Sequence, residues 1–162
     1  MTVKETCLKA KEHSGEIAFA GEDKMNMMLI AAAHALRDHA GYIIAENQKD
    51  VDACTRGPQF ADRLMLNEKR IDGIAAGLEK LVQLKCPVGE VLEERELYNG
   101  LQLRRVRVPL GVLGIIYEAR PNVTADAIGL AIKSGNAVVL RGSKDALRSN
   151  KAVTSVIKNA LR

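Results

Sequence analysis

Tryptophan is absent from the sequence and aromatic residues make up only 3% of it. A core without large rings has to be built from aliphatic side chains. The same scarcity removes the stacking platforms on which single-strand binders and RNA-recognition modules hold bases. Cysteine is scarce as well: Cys7, Cys54 and Cys86 are odd in number, far apart and without a C-x-x-C spacing. They suit neither a disulfide framework nor a zinc knuckle, so no metal site is expected and a reducing compartment is. No apolar run approaches the roughly 18 residues of a membrane-spanning helix. The opening stretch MTVKETCLKAKEHS also lacks the apolar segment of a signal peptide. A cytoplasmic protein with no membrane partner is expected.

What is present is ordinary for a soluble globular chain of 162 residues, with 47% hydrophobic and 27% charged positions. That length allows one domain with a real core, or one and a half small ones. The net charge of +4 is spread along the chain except at Arg104, Arg105 and Arg107. A nucleic-acid footprint is more concentrated than this, so an anionic small molecule is the more economical partner.

The first 90 residues read as a helical layer. Residues 1 to 20 carry a weak helical pattern broken at Ser14-Gly15. In Lys24 to Glu46, Met25, Met28, Leu29, Ala32, Leu36, Ala40 and Ile43 recur at spacings of three and four and predict one helix with a core-facing stripe. His34 and His39 are five apart and do not share a helix face, which argues against a two-histidine metal site. Asn47 to Phe60 reads as a polar connector, Phe60 to Leu66 as a short helix, and Asn67 as the N-cap of a helix over Glu68 to Leu84.

Residues 91–108 change character. Glu96-Leu97-Tyr98 and Leu101-Gln102-Leu103 flank Asn99-Gly100, which predicts a hairpin closed by a type I′ turn. The apolar alternation slips near Arg104-Arg105, where a bulge or bend would account for it. The arginines themselves read more simply as a solvated strand face than as a binding patch.

Residues 109–162 carry what a ligand could want. Val112 to Tyr117 is an apolar, β-branched run that reads as a strand buried on both faces. A helix capped by Thr124 and ending at Lys133-Ser134-Gly135 follows, and then a second strand, Ala137 to Leu140. This is the pattern of a parallel βαβ unit, whose ligands sit outside the carboxyl ends of the strands. Tyr117 to Thr124 and Arg141 to Asn150 are therefore the segments of interest. Ser149 to Arg162 reads as a second crossover helix, written without the third strand it would lead to.

The string YEARPNVTADAIGLAIKSGNAVVLRGSKDALRSN is more specific than that generic pattern. It resembles the γ-glutamyl phosphate reductase family of the aldehyde dehydrogenase superfamily. The similarity runs back through DRLMLNEKRIDGIAAGLEKL and PVGEVLEERELYNGLQLRRVRVPLGVLGIIYEARPN, and more loosely to the start of the chain, so that all 162 residues look like that family's amino-terminal part. The resemblance implies a truncated aldehyde dehydrogenase-like α/β fold: an N-terminal helical layer, a β-hairpin arm of the oligomerisation region, and the first βαβ of a Rossmann-like parallel sheet. It implies NADPH-dependent reduction of γ-glutamyl phosphate to glutamate 5-semialdehyde and phosphate, in proline biosynthesis, through a cysteine thioester. It also implies a homo-oligomer joined through the hairpin.

Residue by residue, the resemblance makes Asn122 the side-chain amide donor to the oxyanion of the tetrahedral intermediate. Arg141 falls where other superfamily members carry a lysine near the adenosine ribose, and an arginine there suits the 2′-phosphate of NADPH. Gly142 and Ser143 would let the backbone come close and add a hydroxyl, Tyr117 and Glu118 would line the same crevice, and Arg120 would contact a substrate or cofactor phosphate there. None of Cys7, Cys54 and Cys86 stands in a context resembling the family's nucleophile. The catalytic domain and its cysteine are thus expected outside this sequence, and the isolated chain is expected to be inactive. The alternative is a non-catalytic nucleotide-binding or interaction fragment; a dehydrogenase acting on a free aldehyde is disfavoured by the YEARPN string.

Overall fold

A computed structural model describes residues 2–162. Among these residues are seven α-helices, α1 (Val3–Ala18), α2 (Glu22–Asp38), α3 (Ala40–Asp52), α4 (Pro58–Leu64), α5 (Glu68–Val82), α6 (Pro121–Lys133) and α7 (Leu147–Ala160), and two small sheets. One sheet pairs β1 (Val91–Glu96) with β2 (Gln102–Val106) antiparallel; the other pairs β3 (Val112–Ile116) with β4 (Ala137–Arg141) parallel. The parallel pair is joined through α6, as the βαβ pattern requires.

The helical layer departs from the sequence reading at three places. Helix α1 runs straight through Ser14-Gly15, held at its start by a capping box in which Thr2 and Glu5 satisfy each other's backbone N–H groups. The stripe expected on one helix is divided between α2 and α3 by a bend at His39, whose ring nitrogen bonds the carbonyl of Ala35 at 3.0 Å. The bend lets Met25, Leu29, Ala32, Leu36 and Ile43 all face one core. Helix α3 then continues to Asp52, across what reads as a polar connector, because its polar residues Asn47 and Asp50 point inward.

Those two residues bind the layer to α7, the helix that follows the βαβ unit. The Asn47 amide donates to the carbonyl of Leu64 and to Ser149 Oγ, and its oxygen accepts from the Leu66 N–H. The Asp50 carboxylate accepts from Ser149 N at 2.8 Å and Ser149 Oγ at 2.7 Å, so it caps the start of α7 from another helix. Around them α2, α5, α6 and α7 share one apolar core that includes Leu29, Ile71, Leu78, Ile128, Val153 and Ile157. Gly129 on α6 is part of the fit: a Cβ there would lie 2.5 Å from Leu78 Cδ2 and 2.8 Å from Leu81 Cδ1. Deep in the same assembly the ammonium of Lys133 donates to Glu22 and Asn26 of α2 and to the Val82 carbonyl.

The hairpin lies outside this core, and every residue of β1 and β2 is exposed. Its turn is not type I′. Among the described residues none other than glycine has positive φ, and of the two central residues only Gly100 does (φ 85). Leu97 C=O accepts from Gly100 N, and Leu97 N donates to Leu101 O, which is a three-residue loop with the glycine in the left-handed position. The register irregularity falls between Val91 and Glu93 of β1 rather than on β2, although it faces Arg105 and Val106. The arginines pair with acidic residues of the facing strand and the residue before it: Arg104 with Glu94, Arg105 with Glu93, Arg107 with Glu90.

Strand β3 is half-buried rather than covered on both faces, and Ile116 is almost fully exposed. The two-stranded sheet is packed by α1 and α6, which leaves part of an apolar strand without a neighbour. Helix α6 also begins earlier than expected. Pro121 occupies its first turn, Arg120 is the N-cap, and Thr124 lies inside the helix, fully buried. Proline favours this first position because it has no N–H to satisfy and its φ is already helical.

Candidate functional site

The carboxyl ends of β3 and β4 lie side by side, and the Tyr117 N–H extends the ladder to the Arg141 carbonyl at 3.2 Å. Beyond them the two connecting turns are pinned by a small second cluster in which Ala119 and Ala146 pack against Leu64, with Val51 and Phe60 beside them. Burying Ala119 fixes the backbone between two exposed residues, Glu118 and Arg120, so the turn into α6 is set by packing as well as by Pro121.

Between the ends of β3 and β4 and helix α7 the structure forms a crevice of about 470 Å³ whose lining includes Tyr117, Arg141, Gly142, Asn150, Lys151 and Lys158. A relay of side chains holds its wall. Thr124 Oγ1 donates its only proton to Asn150 Oδ1 at 3.0 Å, so Tyr117, 2.7 Å away, is the donor to Thr124. Burial pushes the Tyr117 phenol up from its ordinary value, which keeps this donor protonated. Gly142 belongs to the same wall: a Cβ would stand 2.3 Å from Asn150 Nδ2 and 3.0 Å from the Tyr117 ring. Its three cations, Arg141, Lys151 and Lys158, suit an anionic ligand. Arg141 is exposed and its guanidinium reaches only the neighbouring Gly142 carbonyl.

A separate hollow of about 460 Å³ lies between α4, α5 and the first turn of α6, with Arg120 and Asn122 in its lining. Arg120 thus stands apart from the crevice it was expected to share with Tyr117: as the N-cap it sits where the chain turns toward α4 and α5. The Asn122 amide is exposed and donates to Asp126 one turn along, at 3.3 Å. Asp126 feels its partial burial, which pushes its carboxyl above the usual carboxylate range.

The seven residues singled out in the sequence therefore divide. Tyr117, Arg141 and Gly142 meet in the crevice, and Arg120 and Asn122 meet in the hollow. Glu118 is exposed at the turn between them. The Ser143 hydroxyl is engaged in capping the single 3-10 turn Lys144–Ala146, bonding Asp145 N and Oδ2. None of the three cysteines lines either cavity. Sequence reasoning missed Asn150, Lys151 and Lys158. Asn150 had a usable signal: it stands at helical spacing with Ala146, Val153 and Ile157, so it is a polar residue on an otherwise apolar stripe.

No protein-family model matches the chain. Its fold is that of the aldehyde dehydrogenases: a putative aldehyde dehydrogenase from Bacillus subtilis superposes on 93% of the chain with a TM-score of 0.70 at 19% identity, over 31% of its own length. Within that class the chain is similar to γ-glutamyl phosphate reductases from several organisms. The chain corresponds to the amino-terminal part of proteins named γ-glutamyl phosphate reductase. The reductase from Chlorobium limicola is 44% identical over 99% of the chain. The crystal structure of the reductase from Thermotoga maritima covers 97% of the chain with a TM-score of 0.94 at 41% identity, over 39% of its own length. The chain spans 38% of the length of the Chlorobium relative.

Proposed function

We propose that this chain is the amino-terminal part of a γ-glutamyl phosphate reductase, a cytoplasmic enzyme, and that it contributes the adenosine end of the NADPH site and one oxyanion donor. The observation that carries the reading is the position of α6. Its first turn places Asn122 in one cavity while the ends of β3 and β4 present Tyr117, Gly142 and Arg141 to the other. NADPH, when bound, supplies the hydride that reduces the acyl group. Arg141 holds the adenosine 2′-phosphate, to which a guanidinium can give two parallel hydrogen bonds. Gly142 lets the ribose approach the backbone. Glu118 and Ser143, on the turns that follow β3 and β4, border the same cofactor crevice, where Ser143 adds a hydroxyl beside Gly142. Asn122 turns its amide from Asp126 toward the carbonyl oxygen as negative charge builds there, and Arg120 holds the phosphate that leaves. The nucleophilic thiolate comes from the remainder of the enzyme. The exposed apolar residues of the hairpin, Val91, Leu92, Tyr98, Leu101 and Leu103, join a second copy of the subunit.

Calorimetric titration of the purified chain tests the cofactor half of this reading. NADPH binds and NADH binds more weakly. Arg141→Ala weakens NADPH about tenfold or more while changing NADH little, as loss of one charged hydrogen-bonded contact requires. Equal affinity for the two nucleotides would refute the assignment of Arg141. The chain alone consumes no NADPH with γ-glutamyl phosphate, and activity appears when the carboxy-terminal part of a relative is added.

A further inference from the structure

The hollow beside the first turn of α6 carries charges that the chain only partly settles among themselves. Five ionisable side chains are in its lining: Asp62, Arg63, Arg70, Arg120 and Asp126. Arg70 and Asp62 satisfy each other. Their ion pair is 2.9 Å long, and the rest of the Arg70 guanidinium bonds the carbonyls of Asp62 and Met65. Among the described residues, the side chains of Arg63 and Arg120 have no hydrogen bond or ion pair. The Asp126 carboxylate has only the Asn122 amide. Two guanidinium groups and one carboxylate are therefore left over around a single cavity.

The remainder specifies a ligand. A plain dicarboxylate or phosphate would satisfy the arginines but bring its charge up against Asp126, and a partly desolvated carboxylate tolerates a like charge poorly. A cation alone would leave both arginines unmet. A compound with one ammonium and two anionic groups meets all three. γ-Glutamyl phosphate is such a compound, with an α-ammonium, an α-carboxylate and a phosphate.

Position divides the roles. Asp126 follows Asn122 by one turn on α6 and is hydrogen-bonded to it, so a group held by Asp126 lies next to the oxyanion donor. Arg120 is the N-cap of that same helix, two residues before Asn122, and Arg63 comes from α4 on the facing wall. We propose that this hollow reads the α-amino-acid head of the substrate, with Asp126 accepting hydrogen bonds from the ammonium, Arg63 donating to the α-carboxylate, and Arg120 left for the phosphate end. The inference rests on the proposed reductase function and adds two residues to it.

The test uses the isotope-labelled 162-residue chain, titrated with L-glutamate and with glutarate, which keeps both carboxylates and lacks only the ammonium. NADPH is titrated into the same samples. L-Glutamate moves the amide signals of Asn122, Val123 and Asp126 saturably, and glutarate binds at least tenfold more weakly. Asp126→Asn brings the two ligands to within about twofold of each other. Arg63→Gln weakens L-glutamate about tenfold without altering the NADPH response. The proposal is overturned if the wild-type chain shows no saturable response to L-glutamate, if glutarate binds as well, or if Asp126→Asn keeps the preference. Failure of the glutamate arm with NADPH binding intact removes this inference alone; failure of the NADPH arm strikes at the reductase reading itself.

Discussion

Leu29 and Leu103 are the same residue in opposite circumstances. Leu29 is completely buried where α2 meets α5, α6 and α7, whereas Leu103 is 43% exposed on a ribbon of two strands. Both occupy an alternating or periodic apolar pattern, and the sequence gives them equal standing. The difference is what lies opposite. A helix stripe in this chain finds three other stripes, and the ribbon finds none, so apolar pattern alone reports that a surface is to be covered and says nothing of what covers it.

Substitutions in the two regions should therefore separate widely. Leu29→Ala removes fully buried methyl groups from a packed core and costs about 2–5 kcal/mol, read as a lower urea midpoint with an unchanged slope. A loss as small as a surface substitution gives would mean that the four helices do not share one core. Asp50→Ala comes next, at about 1–3 kcal/mol, because it strips the buried Ser149 hydroxyl and amide of their acceptor. Leu103→Ser should change stability by no more than about 0.5 kcal/mol. Its effect appears in light scattering instead, as a smaller assembly; an unchanged mass would show that the hairpin is not the contact.

The smallest effect concerns Asp126. Its carboxyl is raised by burial, so the folded state holds its proton more firmly than the unfolded state does. The native state is favoured where the group is protonated in both, and that advantage is lost as pH rises through the folded value. Asp126→Asn should thus melt slightly higher than the wild type at pH 7, with the two converging below the ordinary carboxylate range. A gap that persists in acid would assign the effect to packing.

The sequence made the α/β plan, the hairpin, α5 with its Asn67 cap and the βαβ unit legible, because each rests on spacing or on a local signal. It obscured α3 and the start of α6. Asn47 and Asp50 look like connector residues until Ser149, Leu64 and Leu66 are placed beside them, and those partners are distant in sequence. Thr124 looks like a cap because its real partners, Tyr117 and Asn150, come from a strand end and another helix. At the site, the motif identified the segments but not their division. That Arg120 and Tyr117 face different cavities depends on the burial of Ala119 between them, which is a tertiary fact. Asp126 and Arg63 stayed hidden for a similar reason: an unpaired charge is recognisable only once every possible partner has been located.

The long reach of the Asn47 contact also bears on the order in which the chain is made. Asn47 and its partner Ser149 are 102 residues apart. At roughly 5–20 residues per second of synthesis, α3 emerges from the ribosome about 5–20 s before α7 exists to meet it. Until then Asp50 has no Ser149 to accept from, and the apolar faces of α2 and α5 have no α7 to close over them. The amino-terminal helices are therefore made well before the helix that closes over them, and the arrival of α7 is the event that seals this core.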